Sequence, residues 1–322
     1  MNPREPVWER GLRAWLQFWF DQPSVTALAF LRIAAGIVLF YSLFIYSFDL
    51  SSHLSSSGWG DLAMLRQSDP VAWPYSIFDW FASAWWIWIV HLLSILTAGA
   101  LVLGVLPPLT GALSLLFYLS YGHRNPAVMV DLDALLVMLL IYLTLAPCGR
   151  VMSLELRLFP ERRRHPLLPL EPDPPRPPWG SFILRALQVQ LCLFYFMSGL
   201  GSLVPDWLSG SLLLPPGLAE RGLPLGLETF REVSAWPAGM ARLLTLLALF
   251  YPVLVWLPRF RHLVLGVMAL VHFVVGVMWG TLAFNAAMIA MQVVFVDDEL
   301  LEWVRHRAGP LLTLPWLPQT RL

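Results

Sequence analysis

Not one lysine occurs among the 322 residues, and all 21 basic positions are arginine. Charge of either sign is scarce, at 13% of residues, where a soluble domain carries roughly 25%. Acidic and basic residues balance to a formal charge of zero, which excludes a general electrostatic attraction to nucleic acid. Cysteine is nearly absent. Cys148 and Cys192 form neither a CxxC pair nor part of a metal-ligand cluster, so both read as small buried hydrophobes. The sequence also lacks a Gly-rich phosphate loop, a His-Glu-x-x-His pair and a nucleophile elbow, which removes the common soluble-enzyme signatures.

What fills the chain instead is apolar sequence, at 57% of residues. Eight apolar segments fall at 28–48, 84–104, 109–122, 130–146, 181–203, 238–257, 262–279 and 281–297. A membrane-crossing helix needs about 20 residues. The expectation is an all-α, polytopic integral membrane helix bundle of about eight transmembrane helices. The segment 109–122 is short, and 262–279 and 281–297 are separated only by the turn Trp279-Gly280-Thr281, so re-entrant or tilted segments are the alternative there.

Arginine placement orients this bundle. With a cytoplasmic N-terminus, internal segments hold Arg4, Arg10, Arg13, Arg150, Arg157, Arg162, Arg163, Arg164, Arg176, Arg259, Arg261, Arg305, Arg307 and Arg321. External loops hold only Arg66, Arg124, Arg221 and Arg231. That asymmetry obeys the positive-inside rule and favours an even helix count with both termini cytoplasmic. The arginine-only composition is that expected of a GC-rich bacterial genome, hence a bacterial inner membrane.

The first 25 residues show no cleavable signal peptide. Arg4, Arg10 and Arg13 alternate there with acidic residues and with Trp8, Trp15, Phe18 and Trp19, as in an interfacial amphipathic stretch. The expected organisation is a cytoplasmic N-terminal segment 1–27, a membrane domain 28–298 and a cytoplasmic tail 299–322. A Pro/Arg-rich cytoplasmic linker, 160–178, divides the membrane domain, because its prolines forbid a regular helix. The external loops, about 49–83 and 204–237, carry Trp59, Trp73, Trp80, Trp207 and Trp236 and are expected to form an aromatic outer cap at headgroup level.

Polar residues inside a bilayer are functional candidates because burying them is costly. His91 and His272 lie within the second and seventh apolar segments, and Asn285 follows the turn after the seventh. Neither histidine has a second ligand at i+3 or i+4, so no metal site is expected. Each also has the plainer reading of an interhelical hydrogen bond. Arg124, Asp131 and Asp133 cluster at the outer mouth of the fourth segment, where carboxylates also serve as helix caps. Gln188, Tyr195, Ser198 and Ser202 are spaced to share one helix face, leading to Asp206 and Trp207. Gly199 and Gly201 permit close helix approach. Arg32, in the first segment, is within snorkelling reach of the cytoplasmic surface.

The stretch Tyr195–Gly210, YFMSGLGSLVPDWLSG, resembles the matching segment of the HTTM (horizontally transferred transmembrane) family, which includes the vitamin K-dependent gamma-glutamyl carboxylases. The resemblance extends from about Leu28 to Asp298. It takes in Arg32, the Arg124-Asn125 segment with its acidic helix start, the exit Leu145–Gly149 followed by Ser153-Leu154-Glu155, and the His272 helix. In the carboxylases this segment carries the lysine that starts catalysis, and that position is Ser202 here. A second family lysine falls on Gly201.

A hydroxyl is not a base near neutral pH, so the resemblance implies the scaffold without vitamin K-dependent carboxylase activity. It implies an outward-facing cavity for a quinone, lipid or other amphiphile, lined by His91, Arg124, Asp131, Asp133, Tyr195, Ser198, Ser202, Asp206, Trp207, His272 and Asn285. No catalytic residue is assigned. The alternative is an assembly partner of a thiol–disulfide oxidoreductase-like protein, docked by the basic linker or the aromatic loops. A transporter ranks third, because no internal repeat or charged pathway is evident.

Overall fold

The computed structural model describes residues 6–20, 25–55, 76–81, 83–126, 129–155, 178–213 and 236–308. Among the described residues every regular element is a helix. The helices are α1 (Val7–Phe20), α2 (Val25–Tyr46), α3 (Leu50–Leu54), α4 (Ala84–Leu103), α5 (Pro107–Arg124), α6 (Asp131–Leu145), α7 (Pro178–Gly201), α8 (Pro205–Leu208), α9 (Trp236–Leu254), α10 (Pro258–Trp279), α11 (Leu282–Met291) and α12 (Asp298–Ala308). Short 3₁₀ turns lie at Ile77–Asp79 and Gln292–Phe295.

Among the described residues five helices are long and apolar enough to cross a membrane: α2, α4, α7, α9 and α10. They coincide with five of the eight apolar segments. The segment 109–122 becomes α5, 18 residues with serines and tyrosines along it, and 130–146 becomes the 15-residue α6. The last segment is 10 residues of α-helix continued by four of 3₁₀. The fold is thus an all-α membrane bundle, with five helices among the described residues meeting the length and hydropathy of a span.

Helix boundaries follow local chemistry. Gly104 ends α4 and Gly280 ends α10 in the left-handed conformation, at φ 71° and 70°, which glycine adopts without a Cβ penalty. Proline opens α5 and α10, where its missing N–H is not needed.

The chain divides into two compact units, residues 1–185 with 296–322, and residues 186–295. In the first unit α2 packs on α4, α4 on α5, α5 on α6, and α6 returns to α2. Small residues set the spacing. A Cβ on Gly36 of α2 would lie 2.8 Å from Val102 Cγ2, and one on Gly111 of α5 would lie 2.9 Å from Thr144 Oγ1. Such contacts bring helices together where lipid supplies no hydrophobic drive. Near the start of α2, Thr26 donates to Glu302 of α12 at 2.5 Å, and Arg185 donates to the Phe18 carbonyl of α1 at 2.9 Å. In the second unit α10 packs on α11 and on α9, and α8 packs on α9. A Cβ on Gly199 of α7 would meet the Leu249 backbone nitrogen at 2.9 Å, whereas one on Gly201 would meet nothing within 4 Å. Of the two glycines, only Gly199 marks a close approach.

Arg32 departs from expectation. Its side chain does not snorkel: the residue is 0% exposed, and Nη2 donates to the Met152 carbonyl at 2.5 Å. The turns around Gly104 and Ser153 fold over it, and the Ser153 hydroxyl donates to the Gly104 carbonyl. The two non-glycine residues with positive φ among the described residues, Leu106 (45°) and Met152 (52°), flank this knot. Left-handed backbone at such residues is costly, so the knot is held by its contacts rather than by local preference.

The linker 160–177 lies outside the described residues, as do Trp59, Trp73 and most of both long loops. Pro178 already belongs to α7.

Candidate functional site

The second unit builds a hydrogen-bonded chain from three of the expected residues. The Asn285 amide nitrogen donates to the Thr281 carbonyl at 2.9 Å, one turn back on its own helix. That bond turns Asn285 Oδ1 toward His272 Nδ1, at 2.7 Å. Because Oδ1 only accepts, Nδ1 carries the proton, and Nε2 presents its lone pair to the Tyr195 hydroxyl at 2.8 Å. The order of donation is Tyr195 to His272 to Asn285 to Thr281. Gly276 makes this reach feasible, since a Cβ there would lie 3.0 Å from Asn285 Cβ. Tyr251 of α9 packs on the Tyr195 ring, centroids 4.2 Å apart, and meets Phe295 edge-on. Tyr195, Tyr251 and Asn285 are all buried.

Ser202 donates its hydroxyl to the Ser198 carbonyl at 2.8 Å. Ser198 itself is exposed, and so is Asp206. The buried face of α7 therefore runs through Gln188, Cys192, Tyr195 and Gly199 rather than through the two serines. Trp207 is anchored by its indole N–H, which lies 3.1 Å from Thr245 Oγ1 and 3.3 Å from the Ala241 carbonyl.

The first unit holds a second tyrosine–histidine chain. The Ser47 hydroxyl donates to the Leu43 carbonyl at 3.3 Å, leaving its oxygen to accept from His91 Nε2 at 2.8 Å. His91 Nδ1 then accepts from the Tyr121 hydroxyl at 2.7 Å. Tyr46 stacks on Tyr121 at 5.7 Å. Nearby in sequence, Tyr118 donates to the buried Asp133 carboxylate, whose other oxygen accepts from the Val130 N–H at 2.6 Å. Asp133 is thus both a helix cap and the acceptor of a buried phenol, whereas Asp131 is exposed.

Arg124 pairs with Asp79, and its Nε donates to the Leu54 carbonyl at 2.8 Å. Asn125 donates to the His53 carbonyl at 2.9 Å, and Ser76 to the Ser120 carbonyl at 2.7 Å. The end of α5 thereby ties down both described pieces of the 49–83 loop. The geometry makes Arg124 a loop anchor.

Outside the spanning helices, burial pushes the Cys148 thiol up to about 11, opposed in part by the nearby Arg32 guanidinium. Burial also lowers the Arg150 pKa. No group of three or more His, Cys, Asp or Glu capable of holding a metal occurs among the described residues.

The residues that sequence reasoning did not single out are Tyr118, Tyr121, Ser47, Tyr251 and Gln292. The two α5 tyrosines are three apart and share a helix face, a spacing that was readable. Tyr251 and Gln292 stand alone in apolar sequence and carried no such signal.

No curated protein and no solved structure matches the chain. The HTTM domain family model matches residues 20–300, a stretch that contains both tyrosine–histidine chains and the Ser202 position, and the protein is a member of the HTTM family.

Proposed function

We propose that this HTTM membrane protein binds an amphiphilic small molecule, a quinone or lipid, in its second unit, with Tyr195, His272 and Asn285 as the polar end of the site. The observation that carries this reading is the directed chain Tyr195–His272–Asn285–Thr281 among apolar helices. Polar side chains among apolar membrane helices are costly to retain. The tautomer set by Asn285 leaves His272 neutral with a basic Nε2. A proton on the Tyr195 oxygen has an acceptor at 2.8 Å, and the pair can move a proton to or from a bound head group. His91, Tyr121 and Asp133 are read as a separate polar core of the first unit.

The same reading gives the protein no vitamin K-dependent carboxylase activity. Ser202 supplies no base, its hydroxyl already engages Ser198, and the chain has no lysine to substitute. The arginine distribution supports cytoplasmic termini in a bacterial inner membrane. The test is occupancy of a co-purified amphiphile in wild type against His272→Ala and Tyr195→Phe. Loss in both variants supports the reading, and wild-type occupancy in both refutes it. Carboxylated glutamate formed by the purified protein from a glutamyl peptide, reduced vitamin K, carbon dioxide and oxygen would overturn the second part.

A further inference from the structure

Two buried polar side chains of the second unit are left out of the chain described above. The Tyr251 hydroxyl has no hydrogen-bond partner among the described residues, and neither does either amide atom of Gln292. Tyr251 is 0% exposed and Gln292 4% exposed. Such groups are normally satisfied, because an unmet buried donor or acceptor costs stability. The cost is avoidable at both positions, since phenylalanine or leucine would fill the same volume.

The fold links the two through Phe295. Gln292 opens the 3₁₀ turn Gln292–Phe295, and side chains three apart in a 3₁₀ helix eclipse one another. Gln292 therefore shares a face with Phe295, whose ring meets Tyr251 edge-on at 6.3 Å. The turn is fixed from the other side by Gln188, which donates to the Val294 carbonyl at 2.5 Å. Trp256 packs on Phe295 at 5.3 Å, and Tyr195 on Tyr251. Tyr251 and the turn that carries Gln292 thus both border the aromatic cluster of Tyr195, Trp256 and Phe295.

The charge of what they recognise also follows. Among the described residues of this unit the buried polar side chains are Gln188, Thr245, Asn285 and Gln292, all uncharged, while Asp206, Arg242 and Arg259 are exposed and Arg261 is half-buried with its Nε donating to the Val255 carbonyl. A charged head group beside these side chains would meet no fully buried counter-charge among the described residues.

We infer that Tyr251 and Gln292 are ligand-recognising residues of the second unit and select an uncharged head group that accepts hydrogen bonds. This rests on the amphiphile reading above and adds to it two contacts and a chemical class. Tyr251 donates to an acceptor on the head group, and the Gln292 carboxamide bonds to a neighbouring donor or acceptor.

The test uses three probes with one acyl chain: oleamide (neutral), oleate (anionic) and oleylamine (cationic). Each is titrated at pH 8 into the full-length protein and read by native mass spectrometry. Wild type is expected to bind oleamide about tenfold or more tighter than either charged probe. Tyr251→Phe and Gln292→Leu are each expected to weaken oleamide about fivefold to tenfold while leaving the charged probes unchanged. Tyr251→Phe keeps the ring contacts, so it reports even if Gln292→Leu fails to fold. If wild type binds oleamide, His272→Ala weakens it, and Tyr251→Phe and Gln292→Leu do not, this inference fails alone and water satisfies the two groups. Equal binding of all three probes overturns the head-group class. Binding of none overturns the inference together with the amphiphile reading.

Discussion

Adding one methyl group at Gly104 tests the knot around Arg32. At Gly104→Ala the new Cβ would fall 2.8 Å from Arg32 Cζ and 2.9 Å from Ser153 Cα. Real Cβ atoms do not sit that close, so the guanidinium must move. It cannot move without loosening its bond to the Met152 carbonyl, and it is fully buried. A hydrogen bond to a charged group is worth about 1.5–3 kcal/mol. The backbone at φ 71° costs an alanine about a further 1–2 kcal/mol. Together these give a loss of roughly 3–5 kcal/mol. The assay is thermal unfolding of the purified protein in mild detergent, followed by fluorescence. The control is Gly266→Ala, where a Cβ would meet nothing within 4 Å and helix propensity predicts a change between zero and about 1 kcal/mol in the stabilising direction. Equal midpoints for wild type and Gly104→Ala would refute the packing argument for the knot.

Three further outcomes follow from the geometry. Tyr118→Phe removes the phenol that donates to buried Asp133 and should cost about 1–3 kcal/mol, read in the same unfolding assay; an unchanged midpoint would contradict it. Gly276→Val pushes on Asn285 and should free the His272 ring from its fixed tautomer, seen as a changed imidazole ¹⁵N spectrum in selectively labelled protein, with the His91 signals unmoved. For Cys148, the folded thiol titrates near 11 against an ordinary 9.0. Above pH 9 the unfolded state loses this proton first, so the contribution is intact below pH 9 and falls by about 1.4 kcal/mol per pH unit up to about 11. Stability measured from pH 8 to 11 should therefore fall less steeply in Cys148→Ala than in wild type, by about 1.4 kcal/mol per pH unit between pH 9 and 11.

The bundle was legible because apolar runs of bilayer length leave few alternatives. The five strongest runs became α2, α4, α7, α9 and α10, with ends within a few residues. The runs at 109–122 and 281–297 were harder to read, because serines and tyrosines interrupt the first and a change from α to 3₁₀ at Gln292 shortens the second. His272 and Asn285 stood out as isolated polar residues in apolar sequence, and the structure joins them to Tyr195. What the sequence could not show is direction. The spacing that placed Gln188, Tyr195, Ser198 and Ser202 on one face spans about 80° of arc at 3.6 residues per turn, and packing at Gly199 leaves Ser198 outward while burying Cys192. Arg32 read as a snorkelling residue because its cover comes from turns more than 70 residues away in sequence. Tyr251 and Gln292 escaped notice because an unsatisfied hydrogen bond is a property of surroundings, not of spacing.

The central claim is that this HTTM protein holds an amphiphile at the Tyr195–His272–Asn285 chain. Its most direct test is mass spectrometry of solvent extracts from the purified protein, quantified per polypeptide, for wild type beside His272→Ala. The account predicts one quinone or other uncharged lipid per wild-type chain, sharply reduced in the variant. A wild-type extract that matches the bulk lipid composition, with no species enriched over the His272→Ala extract, would contradict it.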